Sequence, residues 1–337
     1  MIEAKVRYFI GVIGFVCLLC IGRPVGAESD VDFSVEAIPS ELQVNAEVTY
    51  FDLRMVPKQQ TDLKVRIYNH ASSDQSYRVS LGNATTNGNG LIVYEEDKPL
   101  PLASRSLSEL TRTPEKPIQI KAGQSKVVSL PLTMPEQAIE GTLLAGIEIK
   151  KQEEQNESSE QVGIQSRQAY VIGVKVRSSV RDIEPDITFE GVKADVHLSR
   201  PSVLVTLANR APAISKEISV EMTVKKNKKV IIRKKMNAQF APTTYMTVPL
   251  ASTGILTPGI YQLDVKMTGD TQEWSFKDDF TISENQVKEM KKTVPDVEEH
   301  PNSFLGENSK ALMIGSFLII ILLLGYIYRL KQKVASK

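Results

Sequence analysis

The residue types able to do acid–base, nucleophilic or metal chemistry are few in this chain, and they do not cluster. His70, His197 and His300 stand alone, no HExxH or other metal-ligand spacing occurs, and Cys17 and Cys20 are the two cysteines. There is no GxSxG elbow and no glycine loop that could cradle phosphates. Glu95-Glu96 and Asp278-Asp279 are adjacent pairs, so in an extended chain their carboxylates point to opposite faces and cannot share a substrate. The expectation is a protein that binds without turnover: not an enzyme, with no metal and no cofactor. One cluster could still act through charge, Lys225-Lys226-Asn227-Lys228-Lys229 followed by Arg233-Lys234-Lys235. Lys225, Lys226, Lys228 and Lys229 could touch an anionic wall polymer or membrane headgroups. The preferred reading is plainer, an exposed hairpin whose lysines keep an edge strand from pairing with another chain. With 41 Lys+Arg against 40 Asp+Glu, no overall field favours nucleic acid.

The elements that must position any binding residues read as strands. Leu63, Val65 and Ile67 alternate with Asp62, Lys64 and Arg66, and Val128, Leu130, Leu132 and Met134 do the same. The pattern returns at Leu143, Ala145, Ile147 and Ile149, and at Tyr170, Ile172, Val174 and Val176. It continues through Val203 to Leu207, Ile218 to Val224, Tyr261 to Met267, and Trp274 with Phe276. Turn signals such as Asn87-Gly88-Asn89-Gly90, Lys121-Ala122-Gly123-Gln124 and Thr257-Pro258-Gly259 separate the runs. Short strands at roughly ten-residue spacing predict an all-β chain of two tandem immunoglobulin-like β-sandwiches, without the cysteine pair of antibody domains. The acidic, Gln/Ser-rich stretch Glu153 to Glu160 is read as a hairpin loop closing the first sandwich, because well-patterned strands flank it. The boundary is then expected near Arg181 to Pro185, giving sandwiches over 28–181 and 182–283 and a polar stalk over 284–310, of which Glu284 to Lys292 could be helical.

Two apolar runs lie at the ends. Lys5 and Arg7 precede Tyr8 to Ile21, and Val25-Gly26-Ala27 offers small residues for cleavage, so 1–27 reads as a signal peptide. A lipoprotein reading at Cys20 is disfavoured by the bulky Leu19 before it. Ala311 to Tyr328 makes about 27 Å of helix, enough for a transmembrane helix over 311–328 with its flanks. Arg329, Lys331, Lys333 and Lys337 follow without an acid, so 329–337 is expected to be a short cytoplasmic tail and the body extracellular. Both cysteines then fall in the removed segment, which suits a disulfide-free surface protein of a single-membrane bacterium.

Particular residues carry a resemblance. Tyr50-Phe51-Asp52-Leu53, Val56-Pro57, Gln60-Thr61, Asn69, Ala84 to Gly90, Ile92-Val93-Tyr94, Met134-Pro135, Gly141 and Gly146-Ile147 resemble the first domain of the WxL-interacting proteins of Gram-positive bacteria. Glu184-Pro185-Asp186-Ile187, Leu207-Ala208-Asn209, Met236, Ala241-Pro242, Pro258-Gly259-Ile260-Tyr261, Trp274-Ser275-Phe276 and Asp279 to Ile282 are similar to the second. One departure is visible: Thr243 stands where the family often has Asn after Ala-Pro. The resemblance implies a membrane-anchored, cell wall-associated surface scaffold. Its first domain would bind peptidoglycan and WxL-domain proteins, and its second host or matrix components. An extracellular chaperone-like assembly factor is the alternative. Binding would use exposed sheet edges or end loops. The loop Asn83 to Gly90 is the first candidate surface, since Thr85, Thr86, Asn87 and Asn89 offer amides and hydroxyls to sugar hydroxyls. The plain alternative is a turn whose glycines serve the backbone alone.

Overall fold

The structure is a computed structural model that describes residues 32–96, 100–152, 168–179 and 183–293. The signal peptide, membrane helix and cytoplasmic tail expected from the sequence lie outside the described residues, as does the acidic stretch 153–160. Among the described residues no helix is long and apolar enough to cross a membrane.

The chain is all-β, with its sheets in a sandwich-like arrangement, and divides into two compact units. The first comprises the described residues to Thr188 together with Ala208–Glu217 and Ala238–Met246; the second takes Phe189–Leu207, Ile218–Asn237 and the described residues from Thr247.

In the first unit β1 (Phe33–Ile38), β3 (Gln60–Asn69) and β7 (Ser125–Thr133) form one antiparallel sheet in that order. A larger sheet runs β2 (Phe51–Arg54), β9 (Ala169–Arg177), β8 (Thr142–Gln152), β4 (Gln75–Thr86), β5 (Ile92–Glu95), with β6 (Ile118–Ile120) also on β4. The period-two pattern explains the packing. Leu63, Val65 and Ile67 of β3 and Leu130 and Leu132 of β7 are fully buried and meet Leu81, Ala145, Ile147, Ile149, Val174 and Val176 of the larger sheet in one core. Pro131 is tolerated because β7 is an edge strand. β8 and β9 pair antiparallel from Thr142↔Arg177 to Lys150↔Ala169, so the stretch joining them connects neighbours of one sheet.

The remaining strands make a sheet of β10 (Ile187–His197), β11 (Arg200–Asn209) and β14 (Thr244–Ala251), and another of β13 (Lys229–Ala238), β12 (Ile218–Lys226), β15 (Gly259–Thr268) and β16 (Glu273–Ile282). Two short helices complete the described elements, α1 (Leu107–Leu110) and α2 (Glu284–Thr293). The latter occupies the start of the expected stalk. Ser283 and Gln286 close a capping box at its N-terminus, the Gln286 N–H donating to Ser283 Oγ and the Ser283 N–H to Gln286 Oε1. Val287 and Met290, one turn apart, are buried.

A strand-end device occurs twice. Asn69 closes β3, donating from Nδ2 to the carbonyls of Ser73 and Ile120 (2.9 and 3.1 Å) and accepting at Oδ1 from Ala71 N and the Tyr77 hydroxyl. Asn209 closes β11 in the same way, donating to the carbonyls of Ala213 and Ala241 (2.7 and 3.0 Å) and accepting from the N–H groups of Ala211 and Asp186. The next residue repeats as well: His70 N donates to the Asp32 carbonyl, and Arg210 N to that of Asp186. Each asparagine supplies four bonds inside a loop that has no ladder of its own, which is why its burial is tolerated.

Two local features give testable consequences. Thr243 has φ +49°, a left-handed conformation that a β-branched residue adopts at a cost and asparagine adopts readily. The asparagine frequent at this position in the resembling family thus has a backbone reason. Thr243→Asn is expected to raise stability by about 1 kcal/mol in urea unfolding. The Tyr77 phenol, fully buried, is pushed up to about 12, first by burial and then by the charge of Asp32. Below its ordinary value of 10 the phenol is neutral in both folded and unfolded chains; above it the unfolded chain ionises while the folded one holds the proton. Stability is therefore expected to fall as pH rises from about 10 towards 12, and Tyr77→Phe should flatten that slope in urea melts across this window.

Candidate functional site

β4, β8 and β9 are adjacent, and their register sets Gly82 opposite Gly146 and Gly146 opposite Gly173. Their neighbours Leu81, Ile147 and Ile172 face the core, so the three glycines form a row on the other face of the sheet. The row is a trough into which rings settle. A Cβ at Gly146 would stand 2.6 Å from Tyr94 Cγ and 2.7 Å from Val171 Cγ1, closer than any side chain tolerates. At Gly82 it would meet the backbone of Glu95 at 2.8 Å. β5 thus brings Tyr94 over Gly146 from one side. From the other comes Tyr50: β2 runs parallel to β9 with Phe51 opposite Val174, so the preceding Tyr50 lies beside Gly173. A Cβ on Gly173 would lie 3.6 Å from Tyr50 Cβ and 3.7 Å from the Tyr94 hydroxyl.

The result is a shallow aromatic floor. Tyr50 is 40% and Val171 47% exposed, while Tyr94 is half-buried. The Tyr94 phenol is raised above its ordinary value, first by burial and then by Tyr50. It therefore stays a neutral hydrogen-bond donor and acceptor at physiological pH. Two rings with polar tips on a glycine floor can stack on a flat, partly apolar ligand and hydrogen-bond its rim.

Along β9 the face continues to Lys175 and Arg177. Asp52, opposite Lys175 in register, is 6% exposed and lies 3.4 Å from Arg177 Nη2 and 3.9 Å from Lys175 Nζ.

The residues expected from sequence to bind are placed differently. Asn83 to Thr86 is the end of β4, not a loop, because β5 pairs with it from Asn83↔Glu95 to Thr86↔Ile92. Thr85 and Thr86 are buried, and Thr86 Oγ1 accepts from Ala241 N and donates to the Gln239 carbonyl, all within the first unit. Asn87 Oδ1 accepts from the N–H groups of Asn89 and Leu91, holding the turn; of the four residues Asn89 alone is exposed. The lysines lie in the second unit. Lys225 pairs with Asp264. Lys226 bonds the carbonyls of Thr257 and Pro258 and lies 4.9 Å from the centre of the Tyr261 ring. Asn227 and Lys228, both at positive φ, make the two-residue turn between β12 and β13, and Lys229 opens edge strand β13 with its side chain exposed. Among the described residues no three His, Cys, Asp or Glu side chains form a group able to hold a metal.

Sequence reasoning passed over Gly82 and Gly173. A glycine inside each of three strand patterns is the signal of a close approach by a ring or backbone.

Residues 33–151 match the family described as WxL Interacting Protein, peptidoglycan binding domain, and residues 159–292 that described as WxL Interacting Protein, host binding domain. The second match begins ahead of β9, which in the structure pairs with β8 and β2. None of the curated proteins compared with the chain matches it. Among solved structures, a chaperone–tip adhesin complex of CFA/I fimbriae is similar at 10% identity, covering 74% of this chain and 97% of that one, with a TM-score of 0.32. The CsuC–CsuE chaperone–tip subunit complex of Acinetobacter baumannii is similar at 8%, covering 65% and 90%, at 0.29. The E. coli chaperone DraB is similar at 12%, covering 74% and 98%, at 0.28. With both domains matched, in order and over most of its length, the chain belongs to the WxL-interacting protein family.

Proposed function

We propose that the protein is a membrane-anchored scaffold of the cell surface, which holds peptidoglycan through its first unit, recruits WxL-domain proteins and offers its second unit to host or matrix components. It acts by retention and not by turnover. The observation that carries the wall-binding part is the placing of Tyr50, Tyr94 and Val171 on the row Gly82–Gly146–Gly173. Pyranose rings of a glycan have one flat, C–H-rich face and a polar rim, and a half-exposed tyrosine pair on a glycine floor complements both. The two family matches support peptidoglycan binding first and host binding second. The period-two strands and the division into two compact units support two tandem immunoglobulin-like sandwiches. A signal peptide at 1–27 and an anchor at 311–328 are the sequence's contribution to this reading.

The test is co-sedimentation of the full chain with purified peptidoglycan freed of teichoic polymers, with soluble stem-free glycan as competitor. Retention that the glycan displaces is expected. Retention only on walls that keep their anionic polymers would refute the glycan reading.

A further inference from the structure

Two strand positions beyond the glycine row, the same face opens into a cavity of about 130 Å³ lined by Thr142, Lys175, Arg177 and Ser179, with Gly141 and Pro212 in its wall. All of these belong to the first unit. The wall is firmly built: Thr142 N donates to the Pro212 carbonyl at 2.8 Å, and a Cβ on Gly141 would sit 2.2 Å from that oxygen. Among the described residues Lys175 and Arg177 share a single carboxylate, Asp52, two cations to one anion. Arg177 Nε and Asp52 Oδ1 are both buried with no hydrogen-bond partner among the described residues. A carboxylate is the group whose charge and planar geometry match a guanidinium beside an ammonium.

We propose that this cavity receives the terminal α-carboxylate of a wall peptide stem whose glycan lies on the Tyr50–Tyr94 face. The proposal rests on the glycan reading above. The volume is far below the 300 Å³ or so of a drug-sized site and suits one small end residue, not a ring. From Gly173 to Arg177 β9 advances about 13 Å, and an extended peptide of about four residues spans the same length. The glycine row and the cavity are therefore two stations along one strand, one for sugar and one for the end of the peptide.

The probe is acetyl-Lys-D-Ala-D-Ala, titrated calorimetrically into the full chain beside its C-terminal amide and the L-Ala-L-Ala acid. The D-Ala acid should bind, the amide should bind at least about tenfold more weakly, and Lys175→Gln and Arg177→Gln should each abolish the difference. Lys175→Gln leaves the Arg177–Asp52 pair in place, so it remains informative should Arg177→Gln unfold. Stem-free glycan should bind both variants as it binds the unaltered chain. Equal binding of acid and amide, or a difference that survives Lys175→Gln, overturns the proposal. Binding of the L-Ala acid alone overturns the assignment to a wall stem. Should the D-Ala acid bind with this dependence while stem-free glycan does not, the cavity stands and the glycan reading falls.

Discussion

Replacing Asn69 with alanine is expected to lower the unfolding free energy by about 3–4 kcal/mol, a loss few single substitutions reach. The side chain serves four partners at once, and its removal strands the Ala71 N–H, the Tyr77 hydroxyl and the carbonyls of Ser73 and Ile120. Each buried polar group left unpaired costs about 1–3 kcal/mol, and a water entering the gap would recover part of the sum. Asn69→Asp should bring no rescue, because it keeps both acceptor contacts but sets a buried carboxylate oxygen against the carbonyls of Ser73 and Ile120. Urea unfolding of the full chain reads the difference. A loss below about 1 kcal/mol would mean that the loop holds itself and that the asparagine is incidental.

Gly146→Val should act on binding and stability together. Its Cβ would overlap Tyr94 Cγ, at the root of the ring, where rotation of the side chain gives little relief. Overpacking of this kind costs about 1–3 kcal/mol. Displacing Tyr94 also lifts the ring from the face, so retention on purified peptidoglycan should fall at least about tenfold. Gly123→Val supplies the control: that glycine has open space beyond it, so its penalty comes from a left-handed backbone (φ +66°) and should leave wall retention intact. Equal retention by both variants would show that the face over Gly146 does not touch the wall.

The strands were legible because burial on one face leaves alternation in the sequence, and Leu63, Val65 and Ile67 report it directly. The hairpin at Asn227-Lys228 was legible from its turn chemistry, and the lysines of β13 do mark a sheet edge. The Asn83–Gly90 stretch misled because polar residues in a row read as a loop, whereas Thr85 and Thr86 continue a strand and are buried, and Thr86 satisfies its hydroxyl inside the unit. The aromatic floor could not be read from periodicity. Tyr50, Tyr94, Gly146 and Gly173 are brought together by a parallel pairing between β2 and β9 and by the fold of β5 over β4, relations that leave no trace in local spacing. Tyr50, Tyr94 and Gly146 were among the residues that carried the family resemblance, but their common position needed the register.

The most direct measurement is co-sedimentation of the full chain carrying Tyr50→Ser and Val171→Ser with purified peptidoglycan. Both side chains are only partly buried, so the urea midpoint should move little. Retention should fall at least about tenfold if the glycine-row face holds the glycan. A folded double variant retained as well as the unaltered chain would contradict that placement of the binding face.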